Sequence, residues 1–172
     1  MGVEIEIKMP VNFETARRRL HACGAEYLGS EQQCDTYFAH PCRDFGARDE
    51  ALRLRRTDSA CVLTYKGPRT HCDLKIREEL EYAVPPELEI VLRRIGFRVW
   101  RVLRKVRENY RWRQCRVSVD RVADLGDFLE VEATDRRARE QVAELQTRLG
   151  LNPDTTTTSS YVELLEKRGS PG

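Results

Sequence analysis

The chain lacks any apolar run near the ~20 residues of a membrane span, and its first residues, Met1-Gly2-Val3-Glu4, lack a signal peptide's apolar stretch. The expectation is a cytoplasmic protein with no membrane partner. Net charge is also nearly absent, because 30 Lys+Arg meet 28 Asp+Glu and leave +2 over 172 residues. Nucleic-acid binders usually carry a basic excess or stripe, so nucleic acid is not an expected partner. The triplet Arg17-Arg18-Arg19 reads as the solvated face of a helix. With only 3 histidines, His-based catalysis is poorly supplied. The 6 cysteines contain no C-x-x-C pair and read as reduced thiols. His40, Cys42, His71 and Cys72 do not have the spacing of a structural zinc site. Chemistry is left to carboxylates, lysines and arginines.

What is present is charge of both signs, 34% of residues, on a 40% hydrophobic background. A chain of this size buries roughly 70% of its unfolded surface, enough for a genuine core. The expected organisation is one domain over residues 1–168, with 169–172 as a disordered tail. Helices are expected over 13–23, with Asn12 as N-cap and Gly24 beyond the end, and over 86–95, opened by Pro85-Pro86 and closed by Gly96. A third is expected over 136–149, N-capped by Asp135, and a short one over 161–166. The predicted inward stripes are Phe13, Ala16, Leu20 and Cys23, then Leu88, Val91, Leu92 and Ile95, then Ala138, Val142, Leu145 and Leu149.

The remaining segments alternate apolar and charged residues. Ile5 and Ile7 alternate with Glu4, Glu6 and Lys8; Leu52 and Leu54 with Arg53 and Arg55; Leu63 and Tyr65 with Thr64 and Lys66. Leu80 and Tyr82 alternate with Arg77, Glu79 and Glu81, and Val106 and Tyr110 with Lys105 and Arg107. Val117 and Val119 alternate with Asp120, and Leu129 and Val131 with Glu130 and Glu132. Each strand therefore has one apolar and one strongly charged face. A weak internal repeat, Glu4-Ile5-Glu6 through a helix to Gly24 and Glu79-Leu80-Glu81 through a helix to Gly96, suggests two β-α-β-β-like halves joined near residues 70–74. About eight strands follow, the number at which a barrel interior holds one small ligand.

Burying that many ions costs several kcal/mol each unless every one is paired or has a ligand. A polyanion with hard metal ions meets this requirement: phosphate oxygens suit Arg forks and Lys ammonium groups, and Mg2+ or Mn2+ suits carboxylates. Carboxylates at i and i+2 on one strand point the same way, as in Glu4/Glu6, Glu79/Glu81 and Glu130/Glu132.

Glu4-Ile5-Glu6-Ile7-Lys8 resembles the E-x-E-x-K signature of the CYTH, or triphosphate tunnel metalloenzyme, superfamily. Further matching segments follow in order: Asp35-Thr36-Tyr37-Phe38, Pro41-Cys42-Arg43-Asp44-Phe45, Leu52-Arg53-Leu54-Arg55, Leu63-Thr64-Tyr65-Lys66-Gly67-Pro68, Lys105-Val106-Arg107, Phe128-Leu129-Glu130-Val131-Glu132 and Ser160-Tyr161. The P-x-R-D-F segment and the overall length are most similar to the class IV adenylyl cyclase (CyaB-like) branch. The resemblance implies an α+β fold with a closed eight-stranded antiparallel β-barrel, a triphosphate tunnel flanked by helices. It implies Glu4, Glu6, Asp120, Glu130 and Glu132 as ligands of Mg2+ or Mn2+. Lys8, Arg53, Arg55, Lys66, Lys75, Arg77, Lys105 and Arg107 would bind phosphate, and Glu4, Glu6, Lys8 and Lys66 would form the catalytic set. Glu79 and Glu81 either ligate a second metal or orient Arg77. A basic residue usual before the Ser-Tyr motif is replaced here by Thr155 to Ser159, so that contact is missing or comes from Arg43 or Lys167.

Three functions fit this pattern. A cyclase would convert ATP to cyclic AMP and pyrophosphate. A triphosphatase would use water to cleave inorganic triphosphate, thiamine triphosphate or a nucleoside triphosphate. A non-catalytic polyphosphate binder is the third, disfavoured because an anion receptor gains nothing from so many acids. The cyclase is preferred on branch similarity. Trp100, Tyr37, Phe38 and Phe45 are candidates either to stack a base or to pack the core and rim. Monomer and homodimer are both compatible with such a tunnel.

Overall fold

The structure is a computed structural model that describes residues 5–70, 76–133 and 138–169. Among these the order is β1 (Ile5–Pro10), α1 (Phe13–Ala22), β2 (Glu26–Ala39), β3 (Ala51–Arg56), β4 (Cys61–Thr70) and β5 (Ile76–Ala83). Then come α2 (Leu88–Arg94), β6 (Arg98–Trp112), β7 (Cys115–Val122), β8 (Gly126–Ala133), α3 (Ala138–Leu149), a 3-10 turn (Pro153–Thr155) and α4 (Tyr161–Gly169). The two halves, β1-α1-β2-β3-β4 and β5-α2-β6-β7-β8, follow the same order of elements, as the internal repeat suggests. The chain is α+β, with strand order β1-β8-β7-β6-β2-β3-β4-β5.

The described residues divide into two compact units, one of 5–31, 105–133 and 138–169, the other of 32–70 and 76–104. The units do not coincide with the sequence halves, because β2 and β6 are long strands that each run through both.

In the first unit α1 and α3 cover the apolar face of β1, β8, β7 and β6. Asn12 caps α1 by accepting the Thr15 amide at 3.0 Å, and Gly24, at φ +79, lets the chain turn out of the helix. Phe13, Ala16 and Leu20 pack with Met9, Tyr110, Val117, Val119, Leu129, Val131, Val142, Leu145 and Leu149. Each large side chain so buried contributes roughly 1.5–3 kcal/mol. The predicted helix start at residue 136 and its cap Asp135 lie outside the described residues.

In the second unit Phe38, Leu52, Leu54, Cys61 and Leu92 form the core. Here α2 differs from expectation. It is 7 residues long and buries only Leu92, so Val91 and Ile95, predicted inward, are 51% and 62% exposed. Leu80 and Tyr82 on β5 and Val106 on β6 are exposed as well, so the apolar faces of these strands are incompletely covered. No helix among the described residues is long and apolar enough to cross a membrane.

Candidate active site

Antiparallel partners share a face, so the register decides which charges meet. In the first unit Lys8 lies opposite Glu130, and Glu6 opposite Glu132. Arg107 lies opposite Asp120. With Lys105, these residues occupy the face of the strands opposite the core. Lys8, Lys105, Arg107, Asp120 and Glu130 are all buried.

Arg107 donates from Nε to Asp120 Oδ1 at 2.7 Å and from Nη2 to Oδ2 at 2.6 Å, and also reaches Glu130 at 2.9 Å. Lys105 donates to Asp120 at 3.2 Å. Lys8 pairs with Glu6 and lies 3.1 Å from Glu130. Burial alone would raise the Asp120 and Glu130 carboxyls; Lys105 and Arg107 outweigh it at Asp120, and Arg107 with Lys8 at Glu130, holding both below the usual range. Against desolvation, Glu130 and Asp120 keep the Arg107 guanidinium protonated well past its ordinary range. Tyr161, from α4, donates its hydroxyl to Asp120 at 2.7 Å, and burial, then the two carboxylates, push its phenol well up.

Glu132 lies two residues from Glu130 on β8 and so shares its face. With Glu6 across the strand pair, Glu130 and Glu132 make an oxygen-rich pair suited to a hard divalent ion. Among the described residues no group of three or more His, Cys, Asp or Glu side chains is placed to hold a metal ion. Magnesium does not require one: it usually keeps several waters and takes one or two carboxylates plus substrate phosphate oxygens. Glu130 and Glu132 are the carboxylates of this face that would hold such an ion, with water and substrate oxygens completing its shell. Glu4, predicted beside Glu6, lies outside the described residues.

The second unit has its own charged face. Arg55 lies opposite Asp35 and grips it with two bonds of 2.7 Å. Arg53 donates to Thr64 at 3.0 Å and reaches Glu81 at 3.4 Å, while Thr64 donates to Glu81 at 2.9 Å. Its Nε is buried without a hydrogen-bond partner, the kind of donor that asks for a ligand oxygen. Lys66 donates to Glu79 at 2.6 Å. Arg77 donates to the backbone carbonyls of Gly67 at 2.9 Å and Asp49 at 3.2 Å. Lys75 lies outside the described residues, as do His71 and Cys72.

Neither substitute for the basic residue before Ser-Tyr is idle. Arg43 pairs with the buried Glu50, and Lys167 donates to Ser159 at 3.2 Å. Phe38 is a core residue at 2% exposure, and Phe45 packs partly against that core. Trp100 is 49% exposed and meets Tyr37 edge-on at 6.5 Å.

Sequence reasoning missed Asp35 and Tyr161 as members of these clusters, although both lie in the quoted motifs. Asp35 sits on β2, whose alternation is masked by polar residues on both faces. Tyr161 reaches Asp120 from a helix 41 positions along the chain.

The CYTH domain family matches residues 2–161. The chain belongs to the CYTH family. It is 32% identical over 171 residues to a Methanocaldococcus jannaschii protein named "Putative adenylate cyclase", covering 94% of this chain and 98% of that one. It is 29% identical over 149 residues to the adenylate cyclase CyaB of Aeromonas hydrophila, covering 81% of this chain and 75% of the relative. Among solved structures, the PH1012 protein of Pyrococcus horikoshii aligns with a TM-score of 0.80 and 32% identity, over 94% of this chain and 98% of that one. The Hippeastrum protein HpAC1, described as a "Putative adenylyl cyclase" that reveals a dominant triphosphatase activity, aligns with a TM-score of 0.77 over 99% and 98% of the chains, at 18% identity.

Proposed function

We propose that this CYTH protein is a Mg2+- or Mn2+-dependent enzyme acting on a triphosphate substrate, and that it converts ATP to cyclic AMP and pyrophosphate. The observation that carries the reading is the adjacency, on one strand face, of the Glu130–Glu132 pair, with Glu6 across from it, and the buried cations Lys8, Lys105 and Arg107. The closed tunnel implied by the family resemblance is part of the proposal. A divalent ion at the carboxylates supplies Lewis-acid polarisation of a phosphoryl oxygen.

The chain's own groups do the rest. Lys8, Lys105 and Arg107 bind phosphate oxygens and offset the charge that gathers on departing pyrophosphate as the ribose 3′-hydroxyl attacks the α-phosphorus and releases its proton to solvent. In the second unit, Arg53 offers its unpartnered Nε–H, and Arg55 and Lys66 offer further donors. Asp120 and Glu130, held below the usual carboxyl range, balance charge and are poor proton acceptors.

The second reading, hydrolysis of a triphosphate by water, is favoured by the similarity to HpAC1, a protein described by its dominant triphosphatase activity. The test is product analysis after incubation with ATP or inorganic triphosphate and Mg2+ or Mn2+. Cyclic AMP with equimolar pyrophosphate supports the cyclase, and orthophosphate alone replaces it with the triphosphatase.

A further inference from the structure

The segment between α3 and α4 is fastened to the charged cluster of the first unit at several points. Thr157 and Lys8 form an isolated antiparallel bridge, each amide donating to the other's carbonyl at 2.8 Å. Gln146 of α3 holds Thr156 by a 3.1 Å hydrogen bond. At the start of α4, Ser160 and Glu163 cap each other: the Ser160 amide donates to the Glu163 carboxylate at 2.6 Å, and the Glu163 amide to the Ser160 hydroxyl at 3.3 Å. These bonds fix where the helix begins, and Tyr161 is its first residue.

Tyr161 is thereby set against three members of the cluster at once. Its hydroxyl donates to Asp120 Oδ2 at 2.7 Å. The ammonium groups of Lys8 and Lys105 lie 5.4 and 5.0 Å from its ring centroid, within cation–π range. The ring itself is braced by Phe128 at 5.3 Å. An ammonium group has no fixed direction on its flexible stem, so a rigid ring touching two of them restricts where both can point. The hydroxyl occupies part of the Asp120 oxygen that Lys105 also uses, which limits how tightly Asp120 can withhold that lysine from a ligand.

We infer that Tyr161 is a positioning residue for polyphosphate recognition: held by the Lys8–Thr157 bridge and the Ser160–Glu163 cap, it aims the Lys8 and Lys105 ammonium groups at phosphate oxygens. The inference rests on reading this cluster as a polyphosphate site.

The test is calorimetric titration of the full chain with inorganic tripolyphosphate, with chelator present, alongside steady-state kinetics on the substrate found active. Tyr161→Phe removes the hydroxyl and keeps the ring; its tripolyphosphate affinity falls on the order of tenfold, the scale of one hydrogen bond to a charged group. Tyr161→Leu removes the ring as well and falls further. Thr157→Pro deletes the amide that donates to Lys8 and weakens binding without touching a charged side chain. In the kinetics, Tyr161→Phe raises KM more than it lowers kcat; a purely structural role would reduce the active fraction, lowering kcat with KM unchanged. Tyr161→Phe and Tyr161→Leu binding tripolyphosphate as the parent does would overturn the positioning role while leaving the functional reading intact. A parent protein that binds no tripolyphosphate either in chelator or with Mg2+ overturns the functional reading and the inference with it.

Discussion

Replacing Asp120 with Asn keeps the shape of the side chain and deletes its charge at the most crowded point of the first unit. Asp120 is 0% exposed and accepts two hydrogen bonds from Arg107, one from Lys105 and one from Tyr161. The amide offers one acceptor oxygen in place of two, and its NH2 group meets donors. Removing one partner of a buried ion pair costs about 3–5 kcal/mol. Glu130 still accepts from Arg107 at 2.9 Å, so the lower end applies, about 3 kcal/mol. At about 2–4 °C per kcal/mol for a chain of this length, Tm should fall by about 6–12 °C. Urea unfolding followed by circular dichroism, in chelator, should show a lower midpoint and an unchanged slope. The pH dependence is a second check. The Asp120 carboxyl lies below its ordinary 3.8, because Lys105 and Arg107 outweigh burial. Its stabilisation is therefore fully present above that ordinary value and is lost as pH falls through the lowered folded one. The gap between parent and variant should hold steady down to about pH 5 and begin to close below about pH 4. A gap under about 1 kcal/mol at pH 7, or one undiminished in acid, would refute the reasoning.

Three further expectations can be checked by simple means. Glu132→Ala should leave the melting curve nearly unchanged and shift the activating concentration of Mg2+ or Mn2+ upward; an unaltered metal titration counts against Glu132 as a ligand. Arg55→Ala should raise KM for triphosphates and also destabilise the protein by about 3 kcal/mol, because it removes both 2.7 Å bonds to the buried Asp35, which Arg53 approaches only to 3.9 Å. Adding Asp35→Ala should recover part of that stability but not the KM, and a double-mutant cycle with no coupling would contradict the pairing. Asn12→Ala should cost about 1 kcal/mol through loss of the α1 cap, read as a small drop in Tm.

Much of this arrangement was legible in the sequence, for local reasons. The period of two placed Glu6, Lys8, Arg53, Arg55, Lys66, Asp120, Glu130 and Glu132 opposite the apolar residues of their strands, and Asn12 with Gly24 bounded α1. What was not legible depends on contacts distant in sequence. Glu108 is buried on the core side of β6 because the Tyr110 hydroxyl donates to it at 2.5 Å and Arg17 of α1 lies 3.4 Å away. The helical period put Val91 and Ile95 of α2 inward, yet a helix that short buries one side chain. Tyr161 enters the cluster through a bridge between Lys8 and Thr157, which no local pattern announces.

Cyclase chemistry is tested most directly by quantifying products from ATP with Mn2+ or Mg2+, alongside inorganic triphosphate and a Glu6→Ala control. Cyclic AMP and pyrophosphate in equal amounts, abolished by chelator and by Glu6→Ala, is the predicted result. Orthophosphate without cyclic AMP would contradict the cyclase, and turnover unaffected by Glu6→Ala and by chelator would contradict the metal-assisted site itself.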